Sequence, residues 1–192
     1  MESHVISDKE LLSQYQNGNE AALELLINRH KEKVYTTIYM FVKDSYLAED
    51  IFQDTFIKVL KTLRKGKYRE EGKFLPWVMR IAHNLCIDHF RKTKRHPKVT
   101  NNDGFDIFDI LPFADDNAEQ SMVKKQAHQK VRDLVNQLPE EQKEVVVLRH
   151  YAGMSFKEIA ALTDVSINTA LGRMRYALIN MRKMVEEKQI AL

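Results

Sequence analysis

Within WVMRIAHNLCIDHFRKTKR, residues 77–95, Arg80, Asn84, Ile87 and Arg91 recur at helical spacing, with His83, Asp88, Lys94 and Arg95 close beside them. Guanidinium, amide and carboxylate groups fit base edges, and cations fit phosphates. The implied chemistry is recognition of a nucleic acid, not the making or breaking of a bond. The opposite side, with Val78, Ile81, Ala82 and Leu85, reads as core. Just upstream, KYREEGKFLPW sets Tyr68, Phe74 and Trp77 among cations. Unpaired bases need a stacking surface and charge neutralisation, which that mixture supplies. Phe74 and Trp77 also read as core, Trp77 more readily so than as a stacking surface, which leaves Tyr68, in a polar loop, as the better stacking candidate.

A second constellation lies in GMSFKEIAALTDVSINTALGRMRYALINMRKMV, residues 153–185. Ser155 and Glu158 have the spacing of a capping box, with Met154 and Ile159 as its hydrophobic staple, which predicts a helix near 156–162. LTDV is a short turn, after which Ser166 caps another helix. There Ile167, Ala170, Leu171, Met174, Leu178, Met181 and Val185 are expected to face inward. Thr169, Gly172, Arg173, Tyr176 and Lys183 are expected outward, flanked by Arg175 and Arg182. Two helices joined tightly, the second with a basic outer face, describe a helix-turn-helix, whose second helix enters the major groove. Gly172 costs that helix about 1 kcal/mol relative to alanine, but lets a phosphate or base edge come close. The plainer alternative is a helical hairpin with a solvated basic face.

A third stretch, AEDIFQDTFIKVLKTL (48–63), turns Ile51, Phe52, Phe56, Val59 and Leu63 inward and Asp50, Gln53, Asp54, Ile57 and Lys61 outward. An apolar Ile57 among acids fits a protein-docking surface. Glu49, Asp50 and Asp54 could also be read as a metal-dependent nuclease site. Acids near a helix start are more simply partners of its dipole, and no second carboxylate cluster accompanies them.

Helices must position all three. SDKE at 7–10 is a capping box, and Asn17-Gly18 should stop the helix it opens. Further helices are expected at about 20–43, from a Ser45 cap to Lys65-Gly66, and from the Pro76 region onward. HPKVTNNDGFDIFDILPFADDNAEQ shows no sustained helical period and reads as a linker. Its Phe105, Ile107, Phe108, Ile110, Leu111 and Phe113 either pack on one of the chain's own domains or dock on a partner. Helices resume near Ala118, with Val131, Leu134, Val135 and Leu138 on one face. Pro139 and two glutamates open the next helix and Gly153 stops it. EVVVL could be a strand, but its flanks favour a buried helix.

The 192 residues carry 30 basic and 27 acidic side chains, a net charge of +3, unevenly spread. Residues 80–98 hold six cations against Asp88, whereas 103–119 hold six acids and no Lys or Arg. The single cysteine, Cys86, excludes an intrachain disulfide. MESHVISDKE is no signal peptide, and no apolar run is long enough for a bilayer. A soluble cytoplasmic protein without membrane insertion is expected.

Taken in order, these segments resemble the sigma-70 family of bacterial RNA polymerase sigma factors, in particular the short extracytoplasmic-function type. AEDIFQDTF resembles the family's core-binding segment. FLPWVMRIAHNLCIDHFRK matches its W…IAxNxxxDxxR pattern at Trp77, Ile81, Ala82, Asn84, Asp88 and Arg91. LPEEQKEVVVLRHYAGMSFKEIAALTDVS looks like the opening of its second conserved domain. The resemblance implies an all-α protein of two small domains joined by a flexible linker: 1–95 (region 2-like), 96–118 (linker) and 119–192 (region 4-like, helix-turn-helix).

It further implies that Arg80, Asn84, Asp88, Arg91, Lys92 and Tyr68 face the minus-10 element, where the loop at 67–73 receives a base from the opened strand. Glu49, Asp50, Gln53, Asp54 and Ile57 are expected on the clamp helices of the largest polymerase subunit. Ser155, Lys157, Ser166, Asn168, Thr169, Gly172, Arg173, Arg175 and Tyr176 are expected at the minus-35 duplex. The implied partners are core polymerase, promoter DNA both paired and melted, and often an anti-sigma factor, with no cofactor and no enzymatic activity. Where family members often show Gly-Thr-Val followed by Lys or another polar residue, this chain has Asn168-Thr169-Ala170-Leu171-Gly172, which leaves the minus-35 preference open. A helix-turn-helix regulator acting without polymerase is the rival reading.

Overall fold

The computed structural model describes residues 6–95 and 129–189. All regular structure among them is helical: α1 (Asp8–Gln16), α2 (Glu20–Val42), α3 (Ser45–Arg64), α4 (Phe74–Arg95), α5 (129–136), α6 (Glu140–His150), α7 (Phe156–Thr163) and α8 (Ile167–Glu187). The chain divides into two compact units, Met1–Asn102 and Asp103–Leu192. The linker residues, with their acids and apolar groups, lie outside the described residues.

In the first unit α2 is the central element and packs against α1, α3 and α4. Its Leu26, Val34 and Ile38 are fully buried, together with Leu11 and Leu12 of α1, Val59 of α3 and Phe74, Val78 and Met79 of α4. Local chemistry sets the boundaries. The Ser7–Glu10 capping box forms with both of its hydrogen bonds, satisfying backbone donors that the helix itself leaves unpaired. Gly18 follows with φ of +94°, a backbone region cheap only for glycine.

The cap of α3 differs from expectation. Asp44, not Ser45, stands in the extended conformation, and its carboxylate accepts from the Leu47 backbone N–H at 2.9 Å. Ser45 becomes the first helical residue. Asp and Ser cap about equally well, so two adjacent candidates shift the boundary by one.

In the second unit α8 packs against α6 and α7. Val145, Val147 and Leu148 are fully buried, so EVVVL is a core helix. Leu134, Val135 and Leu138 are buried as expected, while Val131 is only partly covered. Ser155 and Ser166 both cap, and Asp164 makes the turn between α7 and α8 in the left-handed conformation at φ 55°. Residues 155–187 thus form the bihelical corner.

Candidate nucleic-acid interface

On α4 the inner line is Val78, Met79, Ala82 and Cys86. Its outer line is Arg80, Asn84, Asp88, Arg91 and Lys92, all exposed. The expected recognition stripe therefore faces water, with Ile87 partly covered at its edge. His83 does not belong to it: the ring is 5% exposed and lies edge-on to Phe41 of α2 at 5.5 Å. Its helical angle falls at the seam with α2, where burial wins.

The loop before α4 is tied down. Tyr68 lies 4.3 Å from Trp77, ring to ring, and edge-on to Phe74 at 6.0 Å. Its hydroxyl donates to Glu70 at 3.1 Å. The other Glu70 oxygen accepts from the Gly72 backbone N–H, and Gly72 has φ of +71°. Burial, then the Glu70 carboxylate beside it, pushes the Tyr68 phenol well above the usual tyrosine range. Phe74 is core, while Trp77 and Tyr68 are both partly exposed. The partly exposed aromatic surface of this loop is accordingly a Tyr68–Trp77 pair, not a lone tyrosine.

On α3, Glu49, Asp50, Gln53 and Asp54 are exposed beside Ile57, which is 45% exposed, and the Gln53 amide donates to Glu49 at 3.2 Å. Ile51, Phe56 and Val59 are buried behind them. Tyr46, which the sequence analysis does not single out, is 84% exposed on the same face. It precedes Asp50 by one helical turn, so the 46, 50, 53, 57 spacing carried the signal. No group of three His, Cys, Asp or Glu among the described residues is placed to hold a metal ion.

On α8 the inward face is rotated from expectation by roughly 60–70° at 100° per residue. Ala170 and Ala177 are fully buried, whereas Ile167, Leu171 and Leu178 are 44–46% exposed. The small alanines let α8 approach α6 and α7, and that close approach fixes the inner line. Leu171, Leu178 and Ile179, with Met174 and Phe156, line an open groove of about 420 Å³ bordered by Arg175 and Arg182.

Arg173, expected outward, turns toward α6. Its Nη2 lies 3.6 Å from Glu141 Oε1, with the side chain 21% exposed. Asn168, Thr169, Arg175 and Tyr176 are exposed as expected. Gly172 is partly covered by its surroundings, yet a Cβ there would meet nothing within 4 Å. Lys157 is exposed. Ser155 and Ser166 are exposed too, but their hydroxyls are engaged in caps: Ser155 with Glu158 at 2.7 Å, Ser166 with the Thr169 hydroxyl at 2.8 Å.

Comparison with known proteins gives the same division. Residues 26–96 match the Sigma-70 region 2 model and residues 128–175 the Sigma-70 region 4 model. The RNA polymerase sigma-H factor of Pseudomonas aeruginosa is 29% identical, covering 86% of this chain and 87% of its own length. The ECF RNA polymerase sigma-E factor of Haemophilus influenzae is 27% identical, with 95% of each chain covered. Among solved structures, RpoE of Bartonella quintana in complex with the anti-sigma factor NepR has a TM-score of 0.64 at 17% identity, covering 85% of this chain and 96% of that one. CnrH in complex with the cytosolic domain of CnrY has 0.60 at 22%, with 94% and 97% covered. At those identities the structural likeness speaks to the fold.

Proposed function

The chain belongs to the sigma-70 family and is an RNA polymerase sigma factor of the extracytoplasmic-function type; on that premise we propose that its two units read a promoter in two different states. The observation that carries this reading is that each unit turns a polar, basic helix face to solvent, within the segments matched by region 2 and region 4.

Residues 1–95 act as the region 2 module, 96–118 as the linker and 119–192 as the region 4 module. On α4, Arg80, Arg91 and Lys92 neutralise phosphates while Asn84 and Asp88 meet base edges of the minus-10 element. The Tyr68–Trp77 pair gives one unpaired base a stacking surface, which favours the open strand over the closed duplex. On α8, Asn168, Thr169, Arg175 and Tyr176 face the minus-35 major groove, and Gly172 allows close approach. Ser155 and Ser166 act there as caps, with Lys157 beside them for phosphate.

The α3 face of Glu49, Asp50, Gln53, Asp54 and Ile57 docks on the polymerase clamp helices. Held at promoter spacing by core polymerase, the two weak readers act as one strong one. The chain does this without catalysis of its own, in the cytoplasm. No helix among the described residues is long and apolar enough to cross a membrane. The NepR complex of a similar fold supports an anti-sigma partner here as well.

Transcription from a random promoter library with purified core polymerase tests the reading. Selective, core-dependent initiation at sites with two spaced elements is expected. Tight sequence-specific binding by the isolated chain, unchanged by core, would instead favour a free-standing regulator.

A further inference from the structure

We propose that Asp8 is a positioning residue for promoter opening: through His30 and Phe74 it holds Tyr68 against Trp77 in the pose that receives an unpaired base. The inference rests on the base-capture reading of the 67–73 loop. It concerns α1, a helix outside the segment matched by region 2.

Asp8 opens α1 and is fixed there by the Ser7 capping box. Its Oδ1 accepts from Arg29 at 2.6 Å, and the same guanidinium donates to the Ile6 carbonyl at 2.7 Å. Its Oδ2 meets His30 Nε2 at 2.7 Å. His30 is only 8% exposed, and its buried Nδ1 has no hydrogen-bond partner. The Asp8 bond is therefore the polar contact that sets the orientation of the ring. The ring also packs against Phe74 at 5.8 Å, tilted by 42°. Phe74, fully buried, in turn touches both Tyr68 and Trp77, at 6.0 and 5.8 Å. A second sign of proximity is that the Asp8 charge contributes to raising the Tyr68 phenol.

The chain of contacts is carboxylate, imidazole, phenyl, stacked pair. Removing the carboxylate leaves a buried imidazole with both nitrogens unpaired, a costly state that reorientation relieves. Side chains packed at crystal-like density cannot absorb such a turn locally. Phe74 loses its wall and the Tyr68–Trp77 pair loosens, while the outward face of α4 keeps its place.

The test uses the full chain with core polymerase on one promoter. Trp77 is the only tryptophan of this chain, so the emission of the full chain before core is added reports the pair, and permanganate reactivity of minus-10 thymines in the assembled complex reports strand opening. Asp8→Ala, read well below its melting temperature, should red-shift the emission and lower thymine reactivity by at least about 5-fold. Asp8→Asn combined with Arg29→Met, in which the amide oxygen has only His30 to accept from, should restore most of both. Arg29→Met, which spares the His30 bond, should match wild type in both. Tyr68→Ala tests the base-capture reading itself and should also lower thymine reactivity.

If Tyr68→Ala opens DNA normally, that reading falls and this inference falls with it. If Tyr68→Ala is defective while Asp8→Ala keeps wild-type emission and opening, the inference alone falls. Equal damage from Asp8→Asn with Arg29→Met and from Asp8→Ala would likewise overturn the route through His30. Should Asp8→Ala not fold, His30→Gln keeps a donor for Asp8 but removes the ring. It should show the same red shift and loss of opening, and wild-type behaviour would overturn the proposal.

Discussion

Arg173 of α8 and Glu141 of α6 meet at 3.6 Å, which draws toward the protein a cation that helical spacing alone assigns to the DNA. Arg175, two positions on, is the exposed arginine of the same turn. Arg175→Ala should weaken promoter binding by about 1–3 kcal/mol, concentrated at one base pair if it reads a base and uniform if it holds a phosphate. Arg173→Ala should cost at most about 1 kcal/mol of stability, since Glu141 is largely solvated, and leave promoter preference intact. Holoenzyme band shifts on a set of minus-35 variants distinguish the two. A larger loss from Arg173 would mean that the pair opens on DNA.

The α3 face is acidic and exposed around Asp50. Asp50→Arg should reduce core association at least about tenfold through like-charge contact, with an unchanged circular dichroism spectrum. Pull-down equal to wild type would remove α3 from the interface.

Gly172 gives a case where stability and function should move in opposite directions. A Cβ there meets nothing within 4 Å and the position is helical, so Gly172→Ala should stabilise the second unit by about 1 kcal/mol. That corresponds to a rise of roughly 4–8 °C in melting temperature for a domain of this size. If the glycine is there to admit DNA, promoter affinity should fall in the same variant. Full affinity in the more stable protein would show that the backbone never approaches the duplex.

Burial pushes the Cys86 thiol up to about 12, from 9.0. The folded chain keeps its proton where the unfolded chain has lost it, so unfolding releases a proton above pH 9. Stability from this group is whole below about pH 9 and declines as pH rises from there toward 12. Tyr35, also raised to about 12, chiefly by burial, adds to the decline from about pH 10 upward. Urea titrations at pH 8 and pH 10.5 should show the loss, and Cys86→Ala should flatten it. At pH 8 the native thiol should react with a maleimide only as fast as the fold opens.

Caps and periodicity made most of the fold legible. The boxes at Ser7 and Ser155 are local chemistry that a sequence displays in full, and both form. The outward stripe of α4 is legible because polar and charged residues recur there opposite the buried Val78, Met79, Ala82 and Cys86. The α8 face was misjudged because bulky residues weighed most in the pattern. The close approach of three helices is set instead by Ala170 and Ala177, whose importance lies in what they lack. His83 and Arg173 were misplaced for a related reason. Each sits at a seam, where a neighbouring helix (Phe41 of α2 for one, Glu141 of α6 for the other) decides which way a polar group turns. No residue-by-residue reading supplies that neighbour.

The uncovered strip of Leu171, Leu178 and Ile179 also bears on how the protein's robustness is measured. Anything that shields those side chains in the native form, and finds no counterpart for them in the denatured one, raises the melting point by mass action. A thermogram of the solitary chain therefore sets a floor. The same molecule scanned with a partner that covers those side chains should survive to warmer conditions than its own contacts alone would allow.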